Sequence, residues 1–342
     1  MPTIIRDVEH LEDLLSQPSD AAVRAMMNMQ GDLMILGVGG KMGPTLARMA
    51  KRASDQAGVK RRIIGVSRFS DAALPERLQS HGIGTIACDL LNQEQLNALP
   101  NVPNIVHMTA FKFGATGQES RTWAMNCMLP GWVCQHFRNS KIVLFSTGNV
   151  YPLAPIHLGG STETDTLAPV GEYGASCLGK ERVASYFSET LNIPMSIIRL
   201  NYANEMRYGV LVDIARKVWT GEAVDVRMGA LNAIWQADAN AMSLAAFDHA
   251  SSPPLVLNVA GPETISVRRA AEQFGRLMKK PVRIAGEEST DALLSNAQRA
   301  FRLFGYPRIT TGQLIHWITD WVKRGGESLG KPTHFEVRDG KF

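Results

Sequence analysis

Seven residues, Gly37-Val-Gly-Gly-Lys-Met-Gly43, carry the spacing most suggestive of chemistry. Glycines at 37, 40 and 43, loosened further by Gly39, form a tight turn whose main-chain N–H groups can approach a pyrophosphate. The apolar run Leu33-Met-Ile-Leu36 precedes the turn, and Pro44-Thr-Leu-Ala-Arg-Met-Ala-Lys-Arg52 follows it with helical character. Strand, glycine turn and helix in that order place the positive end of a helix dipole against a bound phosphate.

The elements that must position such a turn follow from the apolar periodicity. Strands are expected at 32–37, 62–67, 84–88, 104–109, 141–146 and 195–199, with helices at 44–57, 73–80, 93–98, 118–138 and 173–190. Pro130 should kink or break the fourth of these helices. Strictly alternating strand and helix imply an α/β protein with a Rossmann-type, doubly wound parallel sheet. Residues 1–31 read as a helical extension packed on the domain, with Ser19 or Asp20 as an N-cap and Gly31 as a stop. The cluster Met26, Met27 and Met29 also suits an oligomer contact or a lid. Residues 32–200 form the expected nucleotide-binding domain. Residues 201–330 form a smaller mixed α/β substrate domain, with return segments to the sheet possible. Residues 331–342 read as a surface tail without chemistry.

Composition narrows the function classes. The chain has 342 residues, 45% of them hydrophobic, which suffices for one large core or two joined ones. A net charge of +4 without a Lys/Arg block does not imply a nucleic-acid partner. No apolar run reaches the roughly 20 residues of a membrane span. Cys88, Cys127, Cys134 and Cys177 show neither a CxxC pair nor metal-ligand spacing, so no metal is expected and a cytoplasmic setting is.

Several landmarks now recur in order: Gly37-x-x-Gly40-x-x-Gly43, Cys88-Asp-Leu90, Val106-His-Met-Thr-Ala110, Asn126, Phe145-Ser-Thr-Gly-Asn-Val-Tyr151, Pro169-x-x-x-Tyr173-Gly-Ala-Ser176 and Asn258-Val-Ala-Gly-Pro-Glu263. From about Asp32 to Arg324 the chain resembles an extended short-chain dehydrogenase/reductase of the NAD(P)-dependent epimerase/dehydratase kind. The resemblance implies an NAD(P) cofactor held by the turn, including Lys41 and Met42, with Asp89 over the adenine and Leu90 beside it. Asn126 matches a helix asparagine near the cofactor cleft. Lys112 matches a lysine that some relatives place near phosphates, and a solvated loop lysine fits equally. His107 reads as a hydrogen-bonded core residue.

Cofactor choice turns on the end of the second strand. A site for NAD wants a carboxylate there to hold the ribose 2′-OH. This chain has Ser67 and Arg68, a hydroxyl and a guanidinium suited to a 2′-phosphate, with Lys41 as a second nearby cation. NADP(H) is therefore expected over NAD(H).

The catalytic group departs from the family pattern. The resemblance makes Thr147 the hydroxyl and Tyr173 the tyrosine that polarise the substrate oxygen. The expected lysine position, four residues on, holds Cys177. Without a neighbouring cation, Tyr173 stays protonated near pH 7 and is a poor base. Lys180, seven residues on, lies on nearly the same helix face but about 10 Å further along. It is either a replacement cation or a solvent-facing lysine.

Two further departures bear on the substrate. Gly148-Asn149 stands where dehydratases of the family carry an acid/base pair, and Asn232 where many relatives carry a diphosphate-clamping arginine. A sugar acid, hydroxy acid or carbonyl compound then fits better than a nucleotide sugar. Asn149, Asn201 and Arg207 are the candidate contacts, with Tyr202 and Tyr208 beside them. The resemblance also implies a homodimer built through helices 118–138 and 173–190. The alternative to an oxidoreductase or epimerase is a degenerate NADP(H)-binding sensor or assembly protein, suggested by Cys177.

Overall fold

The computed structural model describes residues 2–112 and 117–341. Its centre is a parallel sheet built from β1 (Leu33–Leu36), β2 (Ile63–Ser67), β3 (Ile83–Ala87), β4 (Asn104–His107), β5 (Lys141–Thr147), β7 (Met195–Leu200) and β12 (Leu255–Val259). The spatial order is β12-β7-β5-β4-β1-β2-β3. Leu33 of β1 lies opposite Ile63 on one side and Asn104 on the other, so the strand order reverses at β1. A crevice outside the carboxyl ends of strands is expected at such a point.

Two-sided burial explains the unbroken apolar strands. Leu33 and Ile35 enter one core, while Met34 and Leu36 enter the other. Helices α1 (Val8–Leu15), α2 (Asp20–Asn28) and α3 (Gly43–Gln56) belong to the first side. Helices α4 (Leu74–Ser80) and α5 (Gln93–Asn97) follow β2 and β3. On the second side, α6 (Glu119–Trp123) passes through a π turn at Ala124–Met128 into α7 (Leu129–His136), which packs on α8 (Gly171–Leu191). Pro130 stands in the first turn of α7, so the expected interruption is present.

Residues 8–28 form α1 and α2. The Ser19 hydroxyl caps α2 by accepting from Ala22 N, and Met26 is buried whereas Met27 is exposed. Helix α2 lies against α3 and α10 (Gln236–Ala245). The remaining helices are α9 (Val210–Thr220), α11 (Val267–Met278), α12 (Gln298–Phe304) and α13 (Thr311–Lys323). Four two-stranded ribbons complete the fold: β6 (Ala154–Pro155) with β15 (Asp291–Ala292), β8 (Ala203–Asn204) with β11 (Ile234–Trp235), β9 (Ala223–Asp225) with β14 (Arg283–Ala285), and β10 (Ala230–Leu231) with β13 (Ile265–Ser266).

The segment 255–259, within the stretch expected to form the smaller domain with return segments to the sheet, is the edge strand of the main sheet beside β7. The tail is also not a bare surface segment. Thr333 and Phe335 are only 3% and 1% exposed, and Asp213 accepts hydrogen bonds from the Thr333 N–H and hydroxyl at 2.8 and 2.6 Å. Apolar Phe335 anchors a sequence that is otherwise polar, and that polarity hid its burial. Among the described residues, no helix is long and apolar enough to cross a membrane.

Candidate active site

The glycine turn has the close packing its composition requires. Gly37 adopts φ +90°, and a Cβ there would stand 2.7 Å from Thr109 Cγ2. A Cβ on Gly43 would fall onto the Val38 carbonyl oxygen. Helix α3 starts at Gly43 without a side-chain cap; Gly43 N donates to Gly40 O at 3.2 Å within the turn, and Pro44 has no N–H. Ser67 and Arg68 follow on β2, the first beside Gly39 and the second exposed. Beyond β3, the Asp89 carboxylate accepts from Leu91 N, and Leu90 is buried. The turn, Ser67-Arg68 and Asp89-Leu90 thus line up along three adjacent strand ends, a rim that fits a dinucleotide.

Lys41 departs from expectation. Its Nζ donates to the Ala203 carbonyl at 3.2 Å and lies 3.6 Å over the Tyr208 ring. The carbonyl and the aromatic face draw the amine into the interior cavity, so it does not join Arg68 at a 2′-phosphate. Burial pulls its pKa down to about 7, with Glu205 opposing.

That cavity measures about 240 Å³ and opens where the turn, β4, β5, α8 and the segment after β7 meet. Thr147 ends β5; its hydroxyl donates to Asn149 Oδ1 at 3.0 Å and accepts from Asn149 N at 3.2 Å. Tyr173, in the first turn of α8, is 8% exposed, and its hydroxyl is hydrogen-bonded to the side chains of Thr147 and Cys177. Burial, with Cys177 adding, pushes the phenol well above its ordinary value of 10. Cys177 is itself buried, which raises its pKa and keeps it a thiol.

Lys180 is 1% exposed, so the solvent-facing reading is wrong. Its Nζ donates to the carbonyls of Thr109 at 2.9 Å and Phe145 at 3.4 Å, beneath the ends of β4 and β5. Two turns of helix from Tyr173, it supports the floor of the cavity. The cation beside the tyrosine is instead Lys112, whose Nζ is 5.5 Å from the Tyr173 ring centre. Burial lowers the Lys112 pKa to about 8, and Cys177 opposes the shift. Sequence spacing along α8 does not reveal this pairing, because Lys112 follows a different strand.

Asn126 explains how the two elements stay in register. It accepts from Phe111 N at 3.0 Å, donates to Phe111 O at 3.3 Å and donates to Ser176 Oγ at 2.9 Å. It therefore ties the segment carrying Lys112 to the helix carrying Tyr173. His107 is the core residue expected, fully buried with Nε2 3.1 Å from Thr109 Oγ1 and a pKa near 3 from burial.

Of the proposed substrate contacts, Asn149 and Asn201 line the cavity, as do Tyr202 and Tyr208. Asn201 is held by Asn232 Oδ1 at 2.9 Å, and Asn232 in turn donates to Ser295 O at 2.6 Å. Arg207 does not line the cavity. It is bonded to Glu205 at 3.2 Å and Glu12 at 2.9 Å, so its charge is met by Glu205 beside it and by the N-terminal helix. The tail contributes Thr333 to the wall. Behind the cavity runs a buried chain that sequence reading missed. Ser146 donates to Glu181 at 2.5 Å, Arg199 pairs with Glu181 at 2.7 Å, Arg199 reaches the Tyr151 hydroxyl at 2.7 Å, and that hydroxyl donates to Asn258 at 2.8 Å. Tyr151 and Asn258 were visible as motif residues; their joining through Arg199 required the fold.

Comparison with known proteins agrees with this geometry. A family model described as the NAD dependent epimerase/dehydratase family matches residues 33–205. No curated protein matched in a sequence search. Among solved structures, the chain is similar to a dTDP-glucose 4,6-dehydratase from Bacillus anthracis in complex with NAD, at 16% identity and TM-score 0.72, covering 86% of this chain and 97% of that one. It is also similar to a UDP-glucuronic acid 4-epimerase from Bacillus cereus in complex with UDP-glucuronic acid and NAD, at 16% identity and TM-score 0.70, covering 86% and 99%. A UDP-glucose 4-epimerase from Thermotoga maritima, with UDP-glucose, gives 13% identity and TM-score 0.68, covering 86% and 99%. The chain belongs to the NAD dependent epimerase/dehydratase family. It is an oxidoreductase of the extended short-chain dehydrogenase/reductase kind.

Proposed function

We propose that the protein is an NADP(H)-preferring oxidoreductase or epimerase acting on a small hydroxy or carbonyl compound. The observation that carries this reading is the meeting of the Thr147 and Tyr173 hydroxyls inside a cavity that begins at the glycine turn. The nicotinamide, when bound, supplies or accepts the hydride. Thr147 and Tyr173 hold the substrate oxygen, and Tyr173, kept protonated by burial, donates its proton to a carbonyl oxygen. That assignment favours carbonyl reduction as the direction in which the tyrosine starts in the right state.

Ser67 and exposed Arg68 support 2′-phosphate recognition at the rim. Calorimetric titration with NADPH and NADH tests the reading. Tight NADPH and weak NADH binding is expected, and binding of neither cofactor would overturn it.

Cys177 in the lysine position favours a second reading, a cofactor-binding sensor without turnover. Sustained hydride transfer to any substrate excludes it. A homodimer through α6–α7 and α8 is supported by the groove between them, which holds Trp123, Met128 and Phe187. Sedimentation at micromolar concentration should show a dimer, and a monomer would remove it. The free thiols support a reducing, cytoplasmic setting.

A further inference from the structure

We propose that the carboxyl-terminal segment 329–340 is a specificity-determining strap: through Thr333 it closes one side of the cavity and limits the substrate to a compound of a few carbons. The proposal rests on the reading of this cavity as the substrate chamber and names what sets the size of its occupant.

Thr333 lines the cavity together with Tyr208, Gly209 and Val210. One carboxyl group fixes it twice, since the Thr333 N–H and hydroxyl both donate to Asp213 Oδ2, at 2.8 and 2.6 Å. Asp213 stands in the first turn of α9, the turn that Val210 opens. Further attachments lie on both sides of Thr333. Upstream, Leu329 N donates to Arg207 O at 3.1 Å. Downstream, Phe335 is buried in the main core, with Lys217 Nζ 5.8 Å from its ring centre. Arg338 then donates to Asp291 Oδ1 at 2.6 Å and to Arg227 O at 3.2 Å.

The far end of the strap meets the helix that carries Tyr173. Gly340 has φ +74°, and a Cβ there would fall onto the Val170 carbonyl oxygen. Gly171 has φ +78°, and a Cβ on it would meet Gly340 O. Main chain touching main chain in this way requires glycine on both sides, and the contact lies two residues before Tyr173. The strap thus runs from α9, past the ribbon of β6 and β15, to the start of α8, with Thr333 at the cavity. An occupant reaching past Thr333 must break both bonds to Asp213, a cost that penalises the larger compound. About 240 Å³ lies below the usual range of pockets for drug-sized ligands, and a nicotinamide would take part of it.

Cys177 lines the same cavity as a free thiol and reports access to it. Iodoacetamide and the bulkier N-(1-pyrenyl)maleimide are applied to the full chain at alkaline pH, and modified cysteines are located by peptide mass spectrometry. Half-buried Cys127 lies outside the cavity and calibrates each reagent, while Cys88 and Cys134, buried in the core, report unfolding. Relative to Cys127, wild-type Cys177 should favour iodoacetamide about tenfold or more. Phe335→Asp, and separately Arg338→Ala with Gly340→Val, should release the strap, seen as faster hydrogen exchange at the Thr333 amide, and abolish that preference. Thr333→Trp should instead slow iodoacetamide at Cys177 about tenfold and leave Cys127 unchanged. A size preference that survives release of the strap overturns the proposal. So does unchanged exchange at Thr333 in both release variants, or an unchanged rate in Thr333→Trp. Should the release variants label Cys88 and Cys134, they have unfolded, and Thr333→Trp decides alone. Labelling involves neither cofactor nor turnover, so the wall and the functional reading fail separately.

Discussion

The Lys112 ammonium stands 5.5 Å from the ring centre of Tyr173, although the helix carrying the tyrosine has a cysteine where its lysine was expected. An amine thus faces the tyrosine ring from across the cavity, on the segment after β4, and Asn126 holds that segment to α8.

Tyr173→Phe removes the proton donor and leaves the ring packing intact. Turnover of a carbonyl substrate should fall by roughly 10²–10⁴, with NADPH affinity nearly unchanged. Steady-state kinetics beside a cofactor titration check this, and wild-type turnover in the variant would dismiss the role of the hydroxyl.

Arg68→Ala should lower the ratio of NADPH to NADH affinity about tenfold or more, since a charge-assisted contact to phosphate is lost. Paired titrations measure the ratio. An unchanged value means that the 2′-phosphate is held elsewhere.

Lys41 sets a pH dependence with a definite sign. Its folded pKa is about 7, below the unfolded 10.5, and the groups acting on it are Glu205, Lys112, Asp213 and Arg207. Between these values the unfolded chain binds the extra proton, so stability contributed through this site rises with pH and its penalty is largest below 7. Thermal unfolding of wild type against Lys41→Met, without added anions, should show wild type gaining on the variant from pH 6.5 to 9. Taking the difference cancels thiols and tyrosines common to both. A constant difference would contradict the assignment.

Glu181→Gln leaves the Arg199 guanidinium buried without its partner charge. A loss of about 3–5 kcal/mol in urea unfolding is expected. A change below 1 kcal/mol would mean that the pair contributes little beyond packing.

The parts of the molecule legible in the sequence are those governed by local periodicity and local backbone chemistry. Leu33–Leu36, the glycine turn and the helix after it could be read because each depends on neighbours within a few residues. Pro130 announced its own break. What escaped depends on distance in sequence. The lysine facing the Tyr173 ring lies 61 residues away in Lys112, and Arg207, a pocket residue by sequence, is turned to Glu205 and Glu12. Lys41 could be placed in the turn, but the direction of its side chain is decided by Tyr208 and Ala203. Polar composition concealed the burial of Thr333 and Phe335 for a similar reason, since their partners come from α9 and the cavity wall.

The buried chain from Ser146 through Glu181, Arg199 and Tyr151 to Asn258 also bears on the order in which the molecule can assemble. Arg199 and Asn258 are register partners across β7 and β12, while their companions come from β5, the turn after it and α8. A fragment ending near residue 205 would hold every strand of the main sheet except β12, yet leave Tyr151 without its acceptor and the β7 edge unpaired. The stretch that carries the family signature is therefore not an autonomous folding unit. Its polar interior closes only when a strand more than 50 residues downstream docks, a late and non-local step of the kind that slows folding.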